Sequence, residues 1–91
     1  MQLLWTEEAA ADLDAIADYL FEQTPVNARR IVLETYNAPE ILTSFPLRGR
    51  PGRTPGTREL VLSSLPYILI YTVSDNLIHI VRILHGAQKY L

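Results

Sequence analysis

Two histidines and a few cationic and phenolic residues are the side chains whose types could support catalysis. Cleaving RNA without a metal needs a group that takes the 2′-hydroxyl proton, a group that protonates the leaving oxygen, and cations that stabilise the charge on phosphate. Arg82, His85 and Tyr90 are the candidates for these roles if the chain is a nuclease. The alternative is structural, with His85 making a hydrogen bond at a strand end and Tyr90 packing on a sheet.

The histidines do not form a metal site. His79 and His85 are six apart on an inferred strand, so we expect them on the same face at a distance of about 20 Å, too far to share an ion. No other grouping of histidine and carboxylate residues has metal-ligand spacing. Cysteine is absent, which excludes disulfides and thiol nucleophiles. The sequence therefore predicts neither a metal nor a cofactor.

The charge distribution predicts two kinds of partner. The formal net charge is −2, which argues against a dedicated nucleic-acid binder because phosphate contacts need an excess of Lys and Arg. Residues 1–45 hold eight acidic and two basic residues, whereas residues 46–91 hold six basic and two acidic ones. The first half is thus acidic and the second half basic.

The length and hydropathy of the chain predict one domain that does not span a membrane. The 91 residues support one domain, residues 1–91. The apolar runs are too short to span a bilayer, and the N-terminus lacks the order of charged and apolar residues of a signal peptide. We expect a cytoplasmic protein without a membrane partner.

The first half reads as a short strand and two helices. Residues 3–5 suit a strand, and Thr6 is placed to cap a first helix with apolar residues at spacings of three and four. Pro25 suits the first position of a second helix. That helix carries apolar residues as far as Phe45, but Pro39 predicts a kink or break near residues 38–39.

The second half changes to a strand pattern. Residues 45–56 contain three prolines, three glycines and three arginines and predict an ordered loop. Residues 57–62, 67–73 and 77–84 are rich in β-branched and aromatic residues and predict an antiparallel meander. The fold class is therefore α+β. Both faces of this sheet are apolar and two helices cover only one, so the second face needs residues 86–91 or another chain over it.

The order of these elements resembles the RelE/ParE toxin superfamily over essentially the whole chain. Several local motifs carry the resemblance together, through their order and spacing. They are Trp5-Thr6-x-x-Ala9, Asp12-Leu13-x-x-Ile16, Phe45-Pro46 with Gly49-Arg50-Pro51-Gly52, Gly56-Thr57-Arg58-Glu59-Leu60, Pro66-Tyr67 with Tyr71, and Ile80-Val81-Arg82-Ile83-Leu84-His85-Gly86. Pro39 departs from the unbroken second helix that is usual in this superfamily.

The resemblance implies the toxin of a type II toxin–antitoxin module, of the kind that stabilises plasmids, neutralised by a ParD-like or RelB-like antitoxin. For the ParE branch it implies inhibition of DNA gyrase without catalysis by the toxin, and for the RelE branch cleavage of mRNA on the ribosome. The RelE-like nucleases carry a basic residue immediately before an apolar-apolar-Tyr run, where this chain has Ile68. This difference favours the ParE branch. A third possibility is a weak toxin that acts mainly as an antitoxin-binding co-repressor.

Several residues are candidates for contact with the antitoxin or the target. For each of them a structural role, such as an ion pair, a solvated loop position or packing on the sheet, is the alternative. The candidates are Arg48, Arg50, Arg53, Arg58, Tyr67, Tyr71, Arg82 and Lys89.

Overall fold

The first helix begins immediately after the first strand because the side chain of Thr6, between them, caps the helix and also hydrogen-bonds to the last strand. In the computed structural model of the chain, residues 1–86 are described. Strand β1 spans Gln2–Trp5 and helix α1 spans Glu7–Gln23. Between them, the Thr6 hydroxyl accepts a hydrogen bond from the Ala9 amide at 3.1 Å and donates one to the Val81 carbonyl at 3.0 Å. The predicted cap is therefore confirmed, and it also ties the start of α1 to the last strand.

The second helix ends just before Pro39. Helix α2 spans Pro25–Asn37 and is followed by a 3₁₀ helix over Ala38–Thr43. Pro39 has no amide hydrogen for the α-helical ladder, so the chain tightens at this point. The predicted break is confirmed. As a consequence of this break, Pro39 and Leu42 are buried in the core. Phe45, which we expected on the apolar face of the second helix, lies after the 3₁₀ helix and is 58 % exposed.

The sheet has five strands in the order β1-β5-β4-β3-β2. Strands β3 (Arg58–Val61), β4 (Tyr67–Ser74) and β5 (Leu77–His85) form the predicted antiparallel meander. Strand β1 extends it by pairing parallel with β5, and a two-residue strand, β2 (Arg50–Pro51), pairs with β3. The loop of residues 45–56, expected to lack regular structure, therefore contributes the outer strand at one edge.

A bulge in β5 changes which side chains share a face. Ile70 pairs with Arg82 but Tyr71 pairs with Ile80, so Val81 is an extra residue without a partner on β4. His79 lies opposite Thr72 and His85 lies opposite Tyr67. Since Thr72 and Tyr67 are five residues apart, the two histidines are on opposite faces of the sheet. The prediction that they share a face was wrong, because it assumed an unbroken alternation along β5.

The core lies between one face of the sheet and the helices. Leu69 and Tyr71 of β4, together with Ile78 and Ile80 of β5, are completely buried in one apolar cluster with Ala9 of α1. Leu13, Ile16 and Ile31 of the helices pack against this cluster. The periodic residues of α1 and α2 are thus the ones that cover this face of the sheet, which we call the helix-side face.

Candidate functional site

The other face of the sheet is apolar and lies away from the helices. The cross-strand pairs Val61–Ile68–Leu84 and Leu4–His79–Thr72 place their side chains on this side. Val61 and Leu4 are each 49 % exposed, and Ile68 and Leu84 are half-buried. We call this surface the open face; its apolar residues are Leu4, Val61, Ile68, Ile70 and Leu84. The same register also places Glu59, Thr72, His79 and Arg82 on this side. Within residues 1–86 the helices all pack on the opposite side.

Ile68 and Ile70 define the chemistry at the centre of the open face. Ile68 precedes Leu69-Ile70-Tyr71 and lies between Val61 and Leu84, so an aliphatic side chain stands where the resemblance expects a basic one in nucleases. Ile70 is only 7 % exposed because Glu59 and Arg82 flank it on the neighbouring strands. This surface offers aliphatic contacts and no cation at the Ile68 position.

A buried carboxylate borders the open face. Glu59 is 4 % exposed and accepts a hydrogen bond from Arg50 Nε at 2.8 Å. The Arg50 side chain itself remains 60 % exposed. An ionised carboxylate at this depth is stable only when it is paired, so Arg50 serves the fold while presenting part of its guanidinium to solvent at the rim of the open face.

Arg58 lies on the helix-side face and holds the preceding loop. Its Nε donates to the Gly49 carbonyl at 3.0 Å and its Nη2 to the Leu47 carbonyl at 3.2 Å. The structural alternative for this residue is thus realised through backbone carbonyls rather than through an ion pair. Arg48 and Arg53 are exposed on the same loop.

Tyr71 has a structural role that the sequence did not reveal. Its ring is completely buried, and its hydroxyl donates to the Pro46 carbonyl at 2.8 Å and accepts from the Gly49 amide at 2.9 Å. A Cβ added to Gly49 would lie 2.6 Å from the Glu59 carbonyl oxygen and 2.7 Å from the Tyr71 hydroxyl, so glycine is needed here. Tyr71 has no surface for a partner, and the expectation that it contacts one is replaced by this loop-holding role.

Tyr67 is also nearly buried, at 6 % exposure. Its ring meets His85 edge-on, with ring centroids 6.0 Å apart. Burial, with a smaller contribution from Tyr19, raises the pKa of Tyr67 above the ordinary 10.0. The phenol therefore stays neutral to a higher pH than an exposed tyrosine does, and it contributes mainly packing at the end of β4.

Arg82 is held by Asp12, an acidic residue of α1 that the sequence did not identify as its partner. Arg82 Nε lies 2.8 Å from Asp12 Oδ2, and Nη2 lies 3.1 Å from Oδ1. Asp12 Oδ2 also accepts the Ile83 amide at 2.9 Å. The hydrogen bond to Asp12, and then its charge, raise the pKa of Arg82. The signal in the sequence was the need of a charged residue in an apolar strand for a partner; nothing local identified Asp12.

The catalytic candidates come together only in part. His85 lies at the mouth of a cleft of about 380 Å³ between α1 and the ends of β4 and β5, beside Tyr67 and Asp12. The Arg82 guanidinium, three residues from His85, is occupied by the Asp12 carboxylate. Tyr90 and Lys89, the other candidates of the C-terminal segment, lie outside the described residues.

Residues 1–86 hold neither a metal-binding cluster nor a membrane-spanning helix. In this part of the chain no three histidine, aspartate or glutamate side chains are grouped so that they could ligate a metal ion. Over the same residues, neither helix combines the length and apolarity needed to cross a bilayer.

Comparison with known proteins gives one consistent family. Residues 3–90 match the family model described as ParE toxin of type II toxin–antitoxin system, parDE. The chain is 45 % identical over 87 residues to a Caulobacter vibrioides protein named Toxin RelE2, an alignment that covers 96 % of this chain and 97 % of that protein. A solved structure described as the chromosomal ParDE system from P. aeruginosa superposes with a TM-score of 0.85 and 35 % identity, covering 93 % of this chain and 95 % of the other.

Proposed function

The chain belongs to the ParE toxin family of type II toxin–antitoxin systems, and we propose that it acts by poisoning DNA gyrase until a cognate antitoxin neutralises it. The observation that carries the proposal is Ile68. A nuclease of this fold needs a cation close to the scissile phosphate, and an isoleucine at that strand position cannot supply one.

The state of Arg82 supports the same proposal. Its guanidinium faces a carboxylate that already uses both oxygens to bind it. Stabilising a phosphate would require Arg82 to leave Asp12, and that would also leave the acidic side chain near the substrate. Binding to a protein target without catalysis makes no such demand.

The open face supports an antitoxin as the partner. Exposed aliphatic residues on a sheet favour burial under another chain, and Arg50 at the rim suits an acidic segment. Covering this face would bury on the order of 1,000–2,000 Å² in total, the size of a specific interface. We propose a ParD-like antitoxin with apolar residues along the open face and acidic residues at Arg50; a RelB-like antitoxin is the alternative. Action on gyrase places the toxin in the cytoplasm.

The experiment that tests the proposal uses purified toxin, gyrase and supercoiled DNA. Toxin should cause cleaved DNA–gyrase complexes to accumulate, and the antitoxin encoded by the neighbouring reading frame should abolish this when added at equal concentration. Folded toxin that leaves supercoiling unchanged at saturating concentration would contradict the proposal. Boiled toxin gives the matched negative control.

A second candidate function is ribosome-dependent cleavage of mRNA. It is favoured by His85 at the mouth of the α1 cleft and by the name of the Caulobacter relative. A translating extract decides between the two. Cleaved message that disappears with His85→Ala would support the nuclease, whereas intact message with excess toxin would reject it. Normal growth after induction of soluble toxin alone would instead favour the co-repressor.

A further inference from the structure

The turn that follows the 3₁₀ helix exposes apolar side chains on a rigid backbone. Phe45 is 58 % exposed and Leu47 is 67 % exposed, and the Arg48 amide donates to the Phe45 carbonyl at 3.1 Å, which closes the turn. Arg48 is exposed beside them. We call residues 45–48 the knuckle.

The backbone of the knuckle is held from inside by buried or half-buried side chains. The Tyr71 hydroxyl binds the Pro46 carbonyl, and Arg58 binds the carbonyls of Leu47 and Gly49. The polar groups of the backbone thus face the protein while the apolar side chains face solvent. Since loops usually turn polar groups to water, this arrangement stabilises a fixed apolar surface that the core of the fold does not use.

The knuckle and the open face lie on opposite sides of the sheet. Tyr71 shares the helix-side face with Leu69 and Ile80, and its hydroxyl reaches the knuckle from that side. Arg48 lines a small pocket together with Val61, so the two surfaces meet at this edge of the sheet. The pocket around Phe45 and Leu47 contains no residue of the open face, so a partner on that face can leave these two side chains accessible. The two surfaces therefore suit two different partners.

We propose that the knuckle is the surface with which this toxin engages its protein target, through an apolar pocket with an acidic rim that receives Phe45, Leu47 and Arg48. This inference rests on the proposed function as a toxin. The apolar tip fits a pocket in a protein. A duplex DNA partner is less suited, because Phe45 and Leu47 offer no contact to phosphate and Arg58 is engaged by backbone carbonyls.

The test compares three forms of the full chain, each induced without antitoxin in growing cells. The wild type should arrest growth. Phe45→Ser combined with Leu47→Ser should need at least about tenfold more toxin for the same arrest, the change expected when an anchor of a protein interface is removed. Val26→Ser is the matched control, since Val26 is apolar, 92 % exposed and located on α2; it should arrest growth like the wild type.

Two binding measurements complete the test. The double variant should bind the purified antitoxin with an affinity within about threefold of the wild type, which also shows that it folds. Arg48→Glu should weaken arrest in the same direction by reversing the charge at the rim, and it provides a second variant if the double one does not fold. Duplex DNA should bind the wild type and the double variant equally.

The outcomes distinguish a failure of the proposed function from a failure of the inference about the knuckle. A wild type that does not arrest growth overturns the proposed function and this inference with it. Arrest by the wild type and equally by both knuckle variants overturns only the inference. Loss of antitoxin binding in the folded double variant would assign the knuckle to the antitoxin instead, and loss of DNA binding would assign it to DNA; either result overturns the proposal.

Discussion

Asp12 of α1 and Arg82 of β5 form a two-pronged ion pair across seventy positions of sequence, with N–O distances of 2.8 and 3.1 Å. The same carboxylate accepts the amide of Ile83 at 2.9 Å. Strand β1 pairs with β5 only as far as the Trp5–Ile80 pair, so Asp12 takes the place of the missing strand at the Ile83 amide, beyond that pair. A side chain that occupies an edge in this way prevents another strand from adding there.

Replacing Asp12 tests this dual role. Asp12→Ala should lower the free energy of unfolding by about 1–3 kcal/mol, because the partly buried Ile83 amide loses its acceptor. Asp12→Asn should cost less, since its amide oxygen still accepts from Ile83, and the half-exposed ion pair alone contributes only about 0–1 kcal/mol. Urea unfolding measures both variants. Asp14→Ala, exposed on the same helix, is the control, and equal effects of Asp12→Ala and Asp14→Ala would refute the edge-capping role.

The buried hydroxyl of Tyr71 gives a second prediction. Tyr71→Phe removes the group that joins the Pro46 carbonyl to the Gly49 amide and leaves both unsatisfied. We expect a loss of about 1–3 kcal/mol in the free energy of unfolding, with faster amide exchange confined to residues 45–49. The half-exposed Tyr36 provides the matched Tyr36→Phe control. Unchanged exchange at these residues would show that Arg58 alone fixes the loop.

These two contacts mark where prediction from the sequence ends. The periodicity of α1, the break at Pro39 and the three long strands follow from local rules of spacing and backbone geometry. The pairing of Asp12 with Arg82 does not, because a charged residue shows that it needs a partner but not which residue is that partner. An acidic position on an amphipathic helix looks the same whether it faces water or a strand edge.

The strand faces show the same limit. Continuous alternation predicted His79 and His85 on the same face, but the bulge at Val81 puts them on opposite faces. A run of apolar residues gives no sign of where an extra residue is inserted. Tyr67 and Tyr71 both looked like surface aromatics suited to a partner. Tyr71 is buried beneath the loop of residues 45–56, and Tyr67 is buried beside α1 and His85. Both are tertiary contacts. The sequence therefore predicted that an apolar sheet face would be left for a partner, but it assigned Tyr67 and Tyr71 to exposed positions that they do not occupy.

The raised pKa of Tyr67 predicts an alkaline limit to stability. Burial favours the neutral phenol in the folded protein, so the stability it contributes is fully present below pH 10.0 and is lost as the pH rises through the higher pKa of the folded state. Tyr67→Phe cannot ionise, and its urea midpoint should fall less steeply above pH 10.0 than that of the wild type. Tyr36→Phe should behave like the wild type. Parallel curves for all three proteins would contradict the assignment to Tyr67.

Antitoxin binding to the open face can be tested with a matched pair of substitutions, because one exposed valine lies on that face and another lies on α2. Val61 is 49 % exposed on the open face, and Val26 is 92 % exposed on α2. Val61→Glu places a charge against the proposed apolar contact and repels an acidic segment, so antitoxin affinity should fall by at least about tenfold. Val26→Glu adds the same charge away from that face and should leave affinity unchanged. Calorimetric titration of each variant with the purified antitoxin measures the difference, after urea unfolding has shown that both are folded. Equal affinities for the two variants would mean that the antitoxin covers another surface, and a loss confined to Val26→Glu would place it on α2.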